Sequence, residues 1–240
     1  MKSSKTINHA RSLLLTAIVA GAALSGGQAS AAMLITEVAP WGSGNSPYAA
    51  DWFELTNNGT SAVNITGWKM DDNSNSFSNA VALRGVTSIG AGQSVVFIEG
   101  GSTSANDATL DASFISTWFG GNAPAGFTIG NYGGSGVGLS TSTDAVNIFD
   151  ASGVLQASVG FAASDSVSPY QTFDNAAGLT GTISQLSVVG VNGAFVALND
   201  PAEIGSPGTI AAVPEPGSYA LLLSGVGLVG FMLRSRKSAT

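Results

Sequence analysis

The sequence predicts an all-β protein, a single antiparallel β-sandwich with one short helix, held between a removable leader and an apolar C-terminal segment. Three observations carry that expectation. Between residues 33 and 210, short apolar alternations are separated by turn residues about every ten positions, the spacing of a sandwich or barrel. The same stretch is rich in Gly, Ser, Thr, Asn and Val and poor in charge. Each end, by contrast, has the composition of a targeting or membrane segment rather than of a folded core.

Residues 1–32 are ordered as a secretory signal peptide. Lys2, Lys5 and Arg11 form a basic region, Leu13 to Leu24 an apolar stretch, and Gly26, Gly27, Ala29, Ser30, Ala31 and Ala32 a small-residue region. Ala29-Ser30-Ala31 and Ser30-Ala31-Ala32 both suit a signal peptidase, so the mature chain is expected to start near Ala32 or Met33. The alternative is an uncleaved anchor helix, for which an apolar stretch of about 12 residues is short.

The strands expected next are Met33–Val38, Asp51–Thr56, Ala62–Asn64, Trp68–Asp71, Gln93–Glu99, Ala145–Asp150 and Leu155–Phe161. In Asp51-Trp52-Phe53-Glu54-Leu55 the period of two points Phe53 and Leu55 to one face and Trp52 and Glu54 to the other. Asn57-Asn58-Gly59 and Ser152-Gly153 tolerate positive φ, so each is expected to close a hairpin between its flanking strands. The internal helix is expected over Ala112–Phe119, where Phe114, Ile115, Trp118 and Phe119 recur at helical spacing and would cap one end of the core. Gly133-Gly134-Ser135-Gly136 reads as an exposed flexible loop, not a phosphate cradle, because no Lys-Ser/Thr follows.

Residues 211–240 begin with Pro214-Glu215-Pro216, continue in an apolar run from Tyr219 to Leu233, and close with Arg234-Ser235-Arg236-Lys237. An apolar helix over 218–233 with basic residues behind it would leave the domain on the outer side of the membrane, though it is short against the ~20 residues of a permanent span. This order resembles the PEP-CTERM sorting signal. The resemblance implies processing by an exosortase-type enzyme in a Gram-negative bacterium that makes exopolysaccharide, with Pro214, Glu215, Pro216, Arg234, Arg236 and Lys237 as the sorting residues. It also implies a transient inner-membrane intermediate, then the cell surface or extracellular matrix. The alternative is an ordinary membrane anchor on a proline-rich stalk.

Composition narrows the chemistry. The chain has no cysteine, so a disulfide scaffold is excluded. Its single histidine, His9, falls in the leader, which removes the commonest general base from the mature protein. Between the two ends only Lys69 and Arg84 oppose fourteen acidic residues, a formal charge of −12. Such a surface lacks the basic clusters that bind phosphates, so nucleic acid is not expected as a partner. There is no Ser-x-x-Lys, and a serine nucleophile would lack a base.

The middle of the chain resembles the lamin-tail domain. The matching segments are Ile35-Thr36-Glu37-Val38, the strand Asp51 to Asn57, Val63-Asn64-Ile65-Thr66-Gly67-Trp68-Lys69-Met70-Asp71-Asp72, and Ile89 to Phe97. Gly138-Leu139-Ser140, Asp144 to Asp150 and the closing Gly205-Ser206-Pro207-Gly208 follow in order. The resemblance implies an immunoglobulin-like sandwich. The sequence departs from it at Ser142-Thr143, where a glycine usually precedes the aspartate, and in the glycine-rich stretch from Gly120 to Gly136. Gly67 is read as clearing room for Trp68 to pack across the sandwich. Glu54 is read as a partner for the indole N–H or an acceptor of backbone hydrogen bonds at a corner, and alternatively as a catalytic carboxylate.

Two further candidate sites stand out. Asp71, Asn73 and Asn75 alternate as calcium-loop ligands do, although the glycine and distant glutamate of the full motif are missing; the alternative is a polar turn, and no other cofactor is expected. Trp41, Tyr48, Tyr132 and Tyr170 sit near Gly, Ser or Pro in expected loops, where exposed rings would stack on sugars. The expected function is a non-catalytic structural or adhesive protein of the envelope or exopolysaccharide matrix. A carbohydrate-binding module is the first alternative and a divalent-dependent extracellular hydrolase the second.

Overall fold

The structure is a computed structural model that describes residues 33–164 and 167–209. In chain order the strands are β1 (Met33–Ala39), β2 (Trp52–Asn57), β3 (Val63–Asn64), β4 (Lys69–Asp71), β5 (Val81–Ala82), β6 (Ser88–Ile89), β7 (Ser94–Gly100) and β8 (Ile129–Gly133). They continue with β9 (Asp144–Phe149), β10 (Leu155–Phe161), β11 (Tyr170–Gln171), β12 (Phe173–Asp174), β13 (Thr182–Ile183), β14 (Phe195–Val196) and β15 (Glu203–Gly205). A single helical turn, α1 (Gly42–Asn45), precedes the one substantial helix, α2 (Asp107–Phe119).

Two five-stranded sheets, ordered β12-β1-β2-β7-β8 and β13-β10-β9-β4-β5, face each other as the immunoglobulin-like all-β sandwich that the sequence predicts. Between them lie Ile35, Phe53, Leu55, Val95 and Phe97 from the first sheet and Met70, Val146, Ile148, Val159 and Phe161 from the second. Each such buried side chain contributes roughly 1.5–3 kcal/mol relative to exposure. One edge is closed by a backbone pair: Arg84 N–H donates to Asn131 O at 2.9 Å, and Asn131 N–H returns to Arg84 O at 3.0 Å.

A third layer covers the outer face of the first sheet. Trp52, Val96 and Ile98 turn outward there and are buried against Phe114 and Trp118 of α2 and against Trp41, Tyr48 and Ala197. The helix therefore lies over a sheet face, not at one end of the core as its spacing suggests. It starts at Asp107, whose charge suits a helix N-terminus and which holds Arg84 in an ion pair of 2.7 Å. It stops at Gly120, at φ 61, with N–H groups closing back on Ile115 and Ser116. A small sheet, β11-β15-β14, completes the layer.

Two local expectations are corrected. Asn57-Asn58-Gly59 does not join its flanking strands in a hairpin, because β2 pairs with β1 and β7 while β3 pairs with β6. The Asn57 side chain holds the turn instead, donating to Ser61 O and Ile89 O and accepting from Gly59 N–H, each at 2.9 Å. Of Gly133-Gly134-Ser135-Gly136, Ser135 and Gly136 form an exposed turn, but Gly133 is not in a loop: it is buried at the end of β8, which runs parallel to β7 after a crossover through α2. Ser152-Gly153 does close the β9–β10 hairpin, with Gly153 at φ 84. Among the described residues no helix is long and apolar enough to cross a membrane. The expected leader, with Ala31 and Ala32, and the expected helix 218–233 lie outside the described residues.

Candidate functional site

The most concentrated polar feature is a layer of carboxylates buried between the first sheet and its outer cover. In β1 a register irregularity between Ile35 and Glu37 leaves Glu37 opposite Glu54 of β2, so both acids point away from the main core. Both are about 1% exposed. Thr36 Oγ1 donates to Glu54 Oε1 at 2.6 Å, and Thr172 Oγ1 donates to Glu37 Oε1.

The closing segment of the chain lands on these two acids. Ser206 N–H donates to Glu37 Oε1 and Gly208 N–H to Glu54 Oε2, each at 2.6 Å. Gly205 is required between them: a methyl group there would lie 2.7 Å from Glu37 Oε1, 2.8 Å from Thr172 and 2.9 Å from Trp118. Glu203 continues the layer. Tyr48 Oη donates to its Oε2 at 3.0 Å and accepts from the indole N–H groups of Trp52 and Trp118.

Burial drives the electrostatics. Glu37 is pushed well above the usual carboxylate range by desolvation and then by the neighbouring Glu54, and Glu54 is raised by its own desolvation. Glu203 is pushed up to about 7 by the same cause. Glu37 Oε2 and Glu203 Oε1 have no hydrogen-bond partner, which favours a proton on each carboxyl. An enclosed pair of this kind offers no approach to a substrate; what it can do is fasten the last strand to the first two.

The other candidates fall into place as follows. Glu54 does not meet Trp68; it lies within β2 rather than at a corner, and accepts one backbone hydrogen bond, from Gly208 N–H, beside that from Thr36 Oγ1. Gly67 stands at φ 78 in a turn where Trp68 N–H donates to Ile65 O at 3.0 Å, so its conformation, rather than room for the indole, explains it. Trp41, Tyr48 and Tyr132 are not exposed platforms but buried side chains, and half-buried Tyr170 stacks on Trp41 at 5.5 Å. Trp41 and Tyr48 belong to the β1–β2 connection, which packs into the outer layer, whereas Tyr132 lies in β8 and Tyr170 in β11. Asp71 is buried, its Oδ2 accepting from Ser74 Oγ and Ser76 N–H at 2.7 Å, whereas Asn73 and Asn75 are exposed. Among the described residues no group of three or more His, Cys, Asp or Glu converges to hold a metal ion. Pro214, Glu215, Pro216, Arg234, Arg236 and Lys237 lie outside the described residues.

Sequence reasoning missed Glu37 and Glu203. The available signal was an acid followed directly by a branched apolar residue in each strand, Thr36-Glu37-Val38 and Glu203-Ile204-Gly205.

Comparison with known families gives two matches: the Lamin Tail Domain over residues 27–163, and the PEP-CTERM protein-sorting motif over 212–237. Comparison with curated proteins and with solved structures gives no match. The sorting motif marks the chain as an exported protein that an exosortase-type enzyme processes. The first match ends before β11, so the segment that lands on Glu37 and Glu54 lies beyond it. The match spans more than half of the sequence and takes in β1 to β10 of the sandwich: the chain belongs to the lamin-tail domain family.

Proposed function

We propose that this is a non-catalytic structural or adhesive protein of the bacterial envelope or exopolysaccharide matrix, delivered there by its C-terminal signal. The observation that carries the reading is the sorting motif at 212–237, which follows directly on a domain whose last strand is fastened into the fold. The buried carboxylates favour the same reading, since their hydrogen bonds tie strands together rather than line a cleft. Signal peptidase acting beside Ala31 and Ala32, an exosortase-type enzyme acting near Pro214-Glu215-Pro216, and exopolysaccharide around the delivered domain are the partners in this account.

Deletion of Val213 to Thr240 tests it. The truncated protein is expected in the medium, while the full chain fractionates with the envelope or matrix. Identical fractionation of the two would sink the role of the tail. The carbohydrate-binding reading loses most of its stacking platform, because Trp41, Tyr48 and Tyr132 are core side chains and Tyr170 is half-buried against Trp41.

A further inference from the structure

At the end of the sandwich where β2 begins and β7 and β8 finish, three oxygen-bearing side chains form one row across neighbouring strands. Asp51 directly precedes β2 and faces Glu99: Trp52 pairs with Ile98, and Glu99 N–H donates to Asp51 O at 2.8 Å. Glu99 pairs in turn with Tyr132 across the parallel β7–β8 ladder. By alternation from Trp52 and Ile98, which face outward, Asp51 and Glu99 face inward with Phe53 and Phe97. Tyr132 faces inward too, its ring 5.5 Å from that of Phe53.

This row lacks a counter-charge; the hydrogen bond it does receive runs from Ser43 N–H of α1 to Asp51 Oδ1, at 2.8 Å. Like charges directly opposite each other destabilise an antiparallel pair. The two basic residues of the domain are engaged elsewhere, Arg84 with Asp107 and Lys69 over the Phe77 ring. Asp144, on the facing sheet, adds further negative charge, but its oxygens are taken by the N–H groups of Asn73, Ser140 and Ala145. Tyr132 Oη is fully buried without a hydrogen-bond partner. Among the described residues no donor reaches the Glu99 carboxylate. The glycine turn after β8 closes over it instead: a methyl at Gly134 would overlap Glu99 Oε1, and one at Gly138 would lie 3.4 Å away.

We propose that Asp51, Glu99 and Tyr132 form a calcium site at this end of the sandwich, with main-chain carbonyls and water filling the remaining places. All three donors are hard oxygens, which suit calcium or magnesium and not the softer metals. Calcium takes six to eight oxygens in an adaptable geometry, whereas magnesium demands a near-ideal octahedron. Glu99 is only half-buried, which leaves the ion a way in.

The test is calcium titration of the full chain in detergent, freed of metal with EDTA, followed by thermal unfolding and calorimetry. The melting temperature is expected to rise with added CaCl2 and to saturate in the range of extracellular calcium modules, on the order of 0.1–1 mM. Glu99→Gln and Tyr132→Phe keep the shape of the row, and each should weaken calcium binding on the order of tenfold or more. Asn73→Ala with Asn75→Gly should leave binding unchanged. No heat and no thermal shift up to ~10 mM calcium, ten times the top of that range, overturns the proposal. Loss of binding in the Asn73/Asn75 variant with Glu99→Gln unaffected also overturns it, in favour of the turn after β4.

Discussion

Raising the pH from 5 to 8 is expected to loosen this domain, against the common pattern in which carboxylates stabilise a fold once ionised. Burial holds Glu203 near 7, against an ordinary value of 4.5. A carboxyl whose folded pKa lies above its unfolded value grips its proton more tightly in the folded state. Its contribution is therefore complete below about pH 4.5 and is lost as the pH climbs through about 7. At about 1.4 kcal/mol per pKa unit, Glu203 alone withdraws about 3 kcal/mol across that window, a large part of the 5–15 kcal/mol that holds a typical domain. Glu37 and Glu54 act in the same direction but titrate as a pair, so their effects do not add as two independent sites. Urea unfolding followed by tryptophan emission reads this directly, since Trp41, Trp52, Trp68 and Trp118 are all buried. The midpoint is expected to fall from pH 5 to pH 8 with an unchanged urea dependence. Glu203→Gln should flatten the slope and be about 2–3 kcal/mol more stable than the parent at pH 8. A midpoint that is level or rises over this range would refute the assignment of protonated, buried carboxyls.

Two substitutions probe the parts that fasten the fold. Gly205→Ala forces a methyl against Glu37, Thr172 and Trp118 and is expected to cost about 1–3 kcal/mol, measured as a lower melting temperature together with faster proteolysis after β14. Asn57→Ala strips partners from Ser61 O, Ile89 O and Gly59 N–H at a fully buried position; a loss of about 3 kcal/mol in urea unfolding is expected, since each orphaned buried group costs roughly 1–3 kcal/mol.

The long strands were legible in the sequence because their alternation is local. β1, β2, β7, β9 and β10 each bury one face in the sandwich, and a period of two marks them whatever lies around them. The burial of the other face of β2 and β7 was not legible, since Trp52 and Val96 need α2 and β14 to cover them, and those arrive from distant sequence. Strands of two residues, such as β5, β6 and β11 to β14, are defined by tertiary pairing and carry no period to read. The end of β8 was hidden by Gly133-Gly134, a pair that reads as a loop until the Gly101 carbonyl and Glu99 are seen to require the space. Glu54 was singled out, with backbone acceptance as one of its readings, but its partner Glu37 was not. An acid on the outer face of a strand reads as a solvent-facing residue unless the layer that covers that face is known.

The contact from Ser206 to Glu37 spans 169 positions of chain, and it sets the order of events during export. The layer that covers β1 and β2 cannot close until residues near 208 have emerged on the far side of the membrane. By then the next residues to follow are those of the sorting motif, beginning at 212. The domain thus finishes folding only when nearly all of its chain has crossed, and the sorting motif is the next segment to follow. An exosortase-type enzyme that acts on that motif therefore meets a domain whose covering layer already has all of its residues in hand.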